Sequence, residues 1–477
     1  MPLPGFNRYV ILGALGTIVF LSGGCQQYVD KPLVPEQSAT ELLNRSLADP
    51  GLREFLKQNT GRDLPASTST WDFETLNWVA FYYNPSLAVA RAQWAGARGS
   101  IITGAQRPNP SVNFSPGYDF NPAAGTISPW FLGGSFDLPI ETAGKRDKRI
   151  QTASWQSEAA RQNLFDAAWQ VRGELRQALL DWDAAQRRTD ILQKQVQANQ
   201  LVVQLLEERL NAGAISADEI STQRLALVKA QSDAGNATRA LALARAKLAE
   251  VLGVPVSALD GQAFSTDSIA QGHVFSGDEL SAARTVSLKT RADVLASLAS
   301  YQASQSALQL EIAKQYPDLH VGSGYLYDLG ENKWNLSLGI DIPLFNHNQG
   351  PIAEAQAARE LAAAQFIAVQ AHVITQIDSA NAVAQAAAGQ LEDLRKVDTE
   401  LHKHLDSMHA QTDAGAADRL DYQTALLDAS ASELALLDAQ SQLASAIGQL
   451  EDALQVPFAN LPALENDPHA PTPVTKP

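Results

Sequence analysis

The residue types best suited to chemistry are few in this chain, and most of them argue against it. Cys25 is the single cysteine, so neither an intrachain disulfide nor a paired-cysteine motif is possible. The stretch LHKHLDSMH carries His402, His404 and His409, spaced by two, five and seven residues. None of these spacings gives the i,i+4 pair that sets two ligands on one helical face, so the stretch reads as a solvated helix face rather than a metal site. No nucleophile elbow or phosphate loop occurs, which disfavours an enzyme and leaves no cofactor to expect. Acidic side chains stand out instead. Asp218 and Glu219 lie just beyond one glycine-containing segment, NAGAIS; Asp418 ends a second, DAGAAD, and Asp421 lies just beyond it. Copies of such carboxylates around a narrow wet passage would repel one another and favour cations. The formal net charge of −16 makes nucleic acid an unsuitable partner, because phosphate binding needs a basic face.

The elements that would position these acids are written twice. PSVNFSPGY (110–118) recurs as PDLHVGSGY (317–325), with Pro110, Gly117 and Tyr118 matching Pro317, Gly324 and Tyr325 at an offset of 207. SFDLPI (135–140) recurs as GIDIPL (339–344), and AGAIS (212–216) as AGAAD (414–418). A period this long marks a duplicated half-molecule rather than a solenoid. Each half carries two segments of strict alternation, expected as strands over about 111–120 and 129–139, then 318–328 and 333–343. Val112, Phe114 and Tyr118 share one face and Asn113 and Ser115 the other; Trp334, Leu336, Leu338 and Ile340 likewise oppose Asn335 and Ser337. Period two with one apolar face is a half-buried strand, and about ten residues suit a membrane-crossing one. Four strands are too few to close a barrel, and open edges are not tolerated in hydrocarbon. Several copies must therefore pool their strands.

The rest reads as long helix. Residues 150–210 run unbroken, roughly 90 Å at 1.5 Å per residue. The return leg divides into 216–252 and 290–315, separated by a Gly/Ser/Asp-rich stretch at 253–277. In the second half, 351–413 runs out and 416–454 runs back, with 85–106 available as the missing piece. Ala178, Ala184, Ala185 and Ala198 permit close helix approach.

The chain opens with a weakly basic, then apolar segment (1–24) that reads as a signal peptide. Its end, LSGGC, resembles a bacterial lipoprotein lipobox, with Ser22 at the position usually held by an aliphatic residue. Cys25 would then be lipidated, at about 0.8 kcal/mol per buried methylene, and Gln26 rather than Asp beside it implies delivery to the outer membrane.

SFDLPIETAGKR and LGIDIPLFNHNQGPIAEAQAA, together with NPSLAVARA and the two AG-containing turns, resemble the outer-membrane efflux protein family, the TolC-like proteins, and within it the lipoprotein type of the tripartite RND pump systems. The likeness covers roughly 70–457. It implies a mainly α chain with a transmembrane β part: a homotrimer whose 12-stranded barrel in the outer membrane continues as a 12-helix periplasmic barrel. The implied organisation is an anchor and equatorial segment (25–84), a first repeat (85–315, with linker 253–277), a second repeat (316–457) and a tail (458–477). The implied function is passive conduction of drugs or metal ions, driven by an inner-membrane RND-type pump through a periplasmic adaptor (membrane fusion) protein. NHNQG most resembles the heavy-metal branch. The implied adaptor-docking tip is Gly213, Ala214, Ile215, Ser216, Gly415, Ala416, Ala417 and Asp418, and the implied periplasmic gate Glu219 and Asp421. A duct for type I protein secretion and a pore-free structural coiled-coil lipoprotein are the alternatives.

Overall fold

The computed structural model describes residues 27–61, 70–270 and 274–455. Cys25, the expected signal peptide and the tail 458–477 lie outside them. Contacts divide the chain into two units, 1–45 and 46–477. Among its described residues the first holds one helix, α1 (Pro35–Leu43), with no buried residue.

The second unit begins with α2 (Pro50–Thr60), where Asp49 caps the amides of Gly51 and Leu52 and Gly61 ends the helix in a left-handed turn. Residues 26–70 show no periodicity in sequence, so both α1 and α2 go beyond the sequence expectation. The usable signal is local: a proline after Val34 or Asp49, at a first helical position that needs no amide hydrogen. Next come β1 (Thr70–Trp71), α3 (Phe73–Tyr83), α4 (Pro85–Ala105), β2 (Ser111–Tyr118), β3 (Trp130–Ile140), α5 (Lys145–Asn211) and α6 (Ala217–Leu252). The stretch expected as a linker holds β4 (Ala263–Phe264), which pairs parallel with β1, and the short α7 (Asp267–Ala270). Then follow α8 (Gly277–Thr290), α9 (Ala292–Ala313), β5 (Leu319–Asp328), β6 (Glu331–Ile340), α10 (Gln349–Asp413) and α11 (Arg419–Leu454).

The 67-residue α5 is roughly 100 Å long. Two short helices stacked end to end pack along it, but not the pair expected. The Asn84 side-chain amide at the start of α4 donates to the Val251 carbonyl at the end of α6 (2.9 Å), so α6 leads into α4. The Ala292 backbone amide at the start of α9 donates to the Gln455 side-chain oxygen (3.2 Å), and Arg291 donates to the Ala453 carbonyl, so α11 leads into α9. The expectation that 290–315 completes the return of the first hairpin, and 85–106 that of the second, is thereby corrected. Each short helix that precedes a strand pair caps the return leg of the hairpin that follows it. Length alone could not separate the two pairings, because α4 and α9 have 21 and 22 residues.

Most large buried side chains gather at the first of these joints. Phe73 and Leu76 of α3, Leu87 of α4, Leu175 and Leu179 of α5, and Leu248 and Leu252 of α6 lie in one cluster. Away from it, smaller clusters form around Val294, Ile377 and Leu450 and around Val202 and Ile220, and alanines such as Ala299, Ala303, Ala425 and Ala429 are buried as well.

The four longer strands form one antiparallel sheet in the order β2-β3-β5-β6. Its register sets Phe114 opposite Gly134, Leu138 opposite Val321, and Tyr325 opposite Trp334. One face is therefore apolar across all four strands. The other carries Ser135, Asp137, His320, Asn335 and Ser337. Val112, Phe114, Trp130, Trp334, Leu336 and Leu338 are all exposed, and β2 and β6 are both edges. β6 ends at Ile340, three residues before its expected end. No helix of the described residues is long and apolar enough to cross a membrane.

Candidate functional site

Where α5 reverses into α6, Gly213 adopts φ +73°. Its amide donates to Leu210 O (2.9 Å) and that of Ala214 to Arg209 O (2.8 Å). This two-bond closure satisfies carbonyls that the helix end leaves open and needs a left-handed residue. Gly415 repeats it at φ +71°, with Gly415 N to Thr412 O (3.0 Å) and Ala416 N to Gln411 O (2.8 Å).

The next helices start differently. Ser216 caps α6, and the Glu219 carboxylate accepts from its amide (3.1 Å) and hydroxyl (3.0 Å). Glu219 is thus held as half of a capping box. Asp418 caps α11 by accepting from Leu420 N (3.2 Å), and its other oxygen pairs with Arg209. Asp421, at the position equivalent to Glu219, is exposed and has no hydrogen bond or ion pair among the described residues. The two residues considered as a gate therefore differ: one carboxylate is committed to its own helix and one is open to solvent.

Beneath the turns Val202, Leu206 and Ile220 are buried, with Leu210, Ile215, Leu420 and Leu427 packed against them. Ile215 is partly drawn inward, whereas Gly213, Ala214, Ser216, Gly415 and Ala416 are exposed. The Arg209–Asp418 pair, with this cluster, holds both reversals together at one end of the helices. Sequence reasoning misses Arg209, because nothing there marks a partner so distant along the chain. Nearby, His409 lies 3.0 Å from Asp413 and edge-on to Tyr422 at 5.2 Å, and His402 lies 3.4 Å from Asp398. Among the described residues no three His, Cys, Asp or Glu side chains converge to hold a metal ion.

A second charged group lies where α11 ends. The Arg172 and Arg176 guanidinium groups sit over the Phe73 ring at 4.7 and 5.2 Å. Arg176 is buried, donates to Gly448 O (3.0 Å), pairs with Glu451 and stands 3.8 Å from Asp452. Burial pushes the Asp452 carboxyl up to about 6, against the attraction of Arg176 and Arg172. Burial also lowers Arg172 and raises Asp166. A raised carboxyl contributes stability that is complete below its unfolded pKa and disappears as pH rises through the folded one. Asp452→Asn should therefore flatten the loss of thermal stability between about pH 4 and about pH 7, and stabilise the chain by about 1–3 kcal/mol at the upper end. An unchanged pH dependence of melting would show that Asp452 ionises freely.

A family model described as outer membrane efflux protein matches residues 80–254 and 284–455. The cobalt-zinc-cadmium resistance protein CzcC of Cupriavidus metallidurans is 26% identical over 289 residues, 60% of this chain and 66% of that protein, just short of two thirds of its length. Among solved structures, CusC superposes with a TM-score of 0.66 at 17% identity, over 90% of this chain and 99% of that chain. The outer membrane protein VceC of Vibrio cholerae gives 0.64 at 19% identity, over 80% of this chain and 95% of that chain. At such identities these two structures establish the fold.

Proposed function

Because this chain belongs to the outer membrane efflux protein family, we propose that it is the outer-membrane channel of a tripartite efflux pump, passively conducting substrate from pump and adaptor to the outside. The observation that carries this reading is the four-stranded sheet. It has one continuous apolar face that nothing among the described residues covers, two unpaired edges, and helices roughly 100 Å long leading away from it. Such a sheet is stable in lipid only if its edges are closed. Three copies would give twelve strands, within the range of outer-membrane barrels, continued by a barrel of helices in the periplasm.

In this reading Cys25 carries the lipid anchor. The exposed turns around Gly213–Ser216 and Gly415–Asp418 receive the adaptor, itself fed by an inner-membrane pump of the RND type. The substrate class suggested by CzcC is divalent metal ions. Glu219 and Asp421 lie at the entrance, where Asp421 is the freer charge and therefore the better gate candidate. The test is single-channel recording on purified protein in planar bilayers, joined to cobalt, zinc and cadmium susceptibility of a deletion strain. Discrete conductance steps and heightened metal sensitivity are expected. Absence of conductance would favour a pore-free structural lipoprotein. Asp421→Ala should reduce cation preference measurably, while Glu219→Ala should mainly weaken the start of α6, by about 1 kcal/mol. Unchanged ion selectivity in Asp421→Ala would remove that residue from the gate.

A further inference from the structure

The chain contains one seam between its two repeats, and that seam is a template for the seam between copies. Inside the chain β3 pairs with β5, Leu138 opposite Val321 and Ile140 opposite Leu319. The repeat relates β3 to β6 at an offset of 204, through Asp137-Leu138-Pro139 and Asp341-Ile342-Pro343. It relates β5 to β2 at an offset of 207, through Pro317, Gly324 and Tyr325 against Pro110, Gly117 and Tyr118. The structure keeps both offsets beyond the strands. Gly144 and Asn348, the residues before the two long helices, both cap them in the left-handed region, at φ 68° and 62°. α4 and α9, starting at Pro85 and Ala292, follow caps at Asn84 and Arg291.

Applying these offsets to the internal seam, we infer that β6 of one copy pairs with β2 of the next in a single register, with Ile342 opposite Phe114 and Leu344 opposite Val112. This rests on the proposed trimer and goes further, fixing which residues meet. Three observations favour it. The four side chains are 66%, 69%, 70% and 76% exposed for Ile342, Phe114, Leu344 and Val112, whereas in the internal seam Ile140 is 42% exposed and Leu138, Leu319 and Val321 are half-buried. β6 stops at Ile340, although its counterpart β3 stays paired through Ile140, the equivalent of Leu344. Asp341–Leu344 lacks a strand partner among the described residues of one chain and gains one in this register. The helices show the same asymmetry: Ala299, Ala303 and Ser306 are buried on α9, and their equivalents Ala92, Gly96 and Gly99 are exposed on α4. A Cβ added at Gly96 or Gly99 would meet nothing within 4 Å. The α10 of the copy whose β6 meets this β2 is the element that the offsets bring there, as the equivalent of α5 beside α9. A head-to-tail interface of this kind closes into a ring when its rotation permits.

The test is disulfide cross-linking of the full chain in outer membranes under copper-phenanthroline, read on non-reducing gels. The parent chain, with Cys25 alone, sets the background. The double variants Phe114→Cys/Ile342→Cys and Val112→Cys/Leu344→Cys are expected to give dimer and trimer bands at least tenfold above it, and the shifted pair Val112→Cys/Ile342→Cys none. Light scattering of the detergent-solubilised protein accompanies each gel. Preferential cross-linking of the shifted pair, or a trimer with no cross-link in either matched pair, overturns the register and leaves the trimer standing. A monomer by light scattering overturns both.

Discussion

Leu336→Arg is expected to remove the assembled protein from the outer-membrane fraction, whereas Asn335→Arg, one residue away, leaves it in place. Both side chains are exposed on β6 in the single chain, so for a protein in water the two changes would be equally mild. They differ in face. Leu336 lies opposite Ser323 and shares its side of the sheet with Trp334 and Leu338; Asn335 lies opposite Gly324 on the polar side. An arginine facing lipid near the middle of a strand costs about 2–4 kcal/mol, and three copies would bear it at once. An arginine facing a wet lumen costs little. The measurement is membrane fractionation followed by heat-modifiable migration on gels. Equal recovery of the two variants would mean that the apolar face is not in lipid, and the channel reading would lose its main support.

Arg176→Gln is expected to destabilise the folded chain by about 2–4 kcal/mol, as a thermal-melting shift at neutral pH. The guanidinium is 5% exposed, lies against Phe73, and bonds a carbonyl and a carboxylate of α11. Removing a buried cation from such a site leaves its acceptors without donors, which costs more than the net worth of the pair. The figure stays at the lower end of the range for buried ion pairs because Glu451 and Asp452 are 49% and 30% exposed, so water takes over part of their solvation. Arg176→Gln and Asp452→Asn should thus act with opposite sign at neutral pH, though the residues are neighbours. A melting temperature unchanged by Arg176→Gln would show that packing around Phe73, not charge, holds α3 to α5 and α11.

The strands are legible in the sequence because alternation is a local property: one apolar face facing a medium that accepts it writes itself into every second residue. The long helices are legible for a similar reason, and Gly213 and Gly415 mark their ends through the left-handed conformation that such closures need. Two kinds of feature leave weaker traces. The stacking of α6 with α4 and of α11 with α9 depends on which helix end meets which, and two return helices of 36 residues each with short helices of 21 and 22 fit either way. The Arg209–Asp418 and Arg176–Glu451 pairs join residues far apart in the chain, and single charges on largely polar helices carry no periodic signal. Glu219 is a different case. Ser216-Ala217-Asp218-Glu219 spells a capping box in plain sequence, a local pattern that Asp418 and Asp421 do not repeat and that is enough by itself to set Glu219 apart from Asp421.

The bare strand edges carry a hazard for the newly made protein. In the proposed assembly, a chain that has not yet met its sisters offers two rows of unsatisfied amides and carbonyls beside a greasy surface, the combination that seeds disordered aggregates. Biogenesis is then a race between finding sister subunits and clumping, and a single population can lose it through overproduction alone. Escort by a holding chaperone during transit would lengthen the odds of success without altering the finished particle.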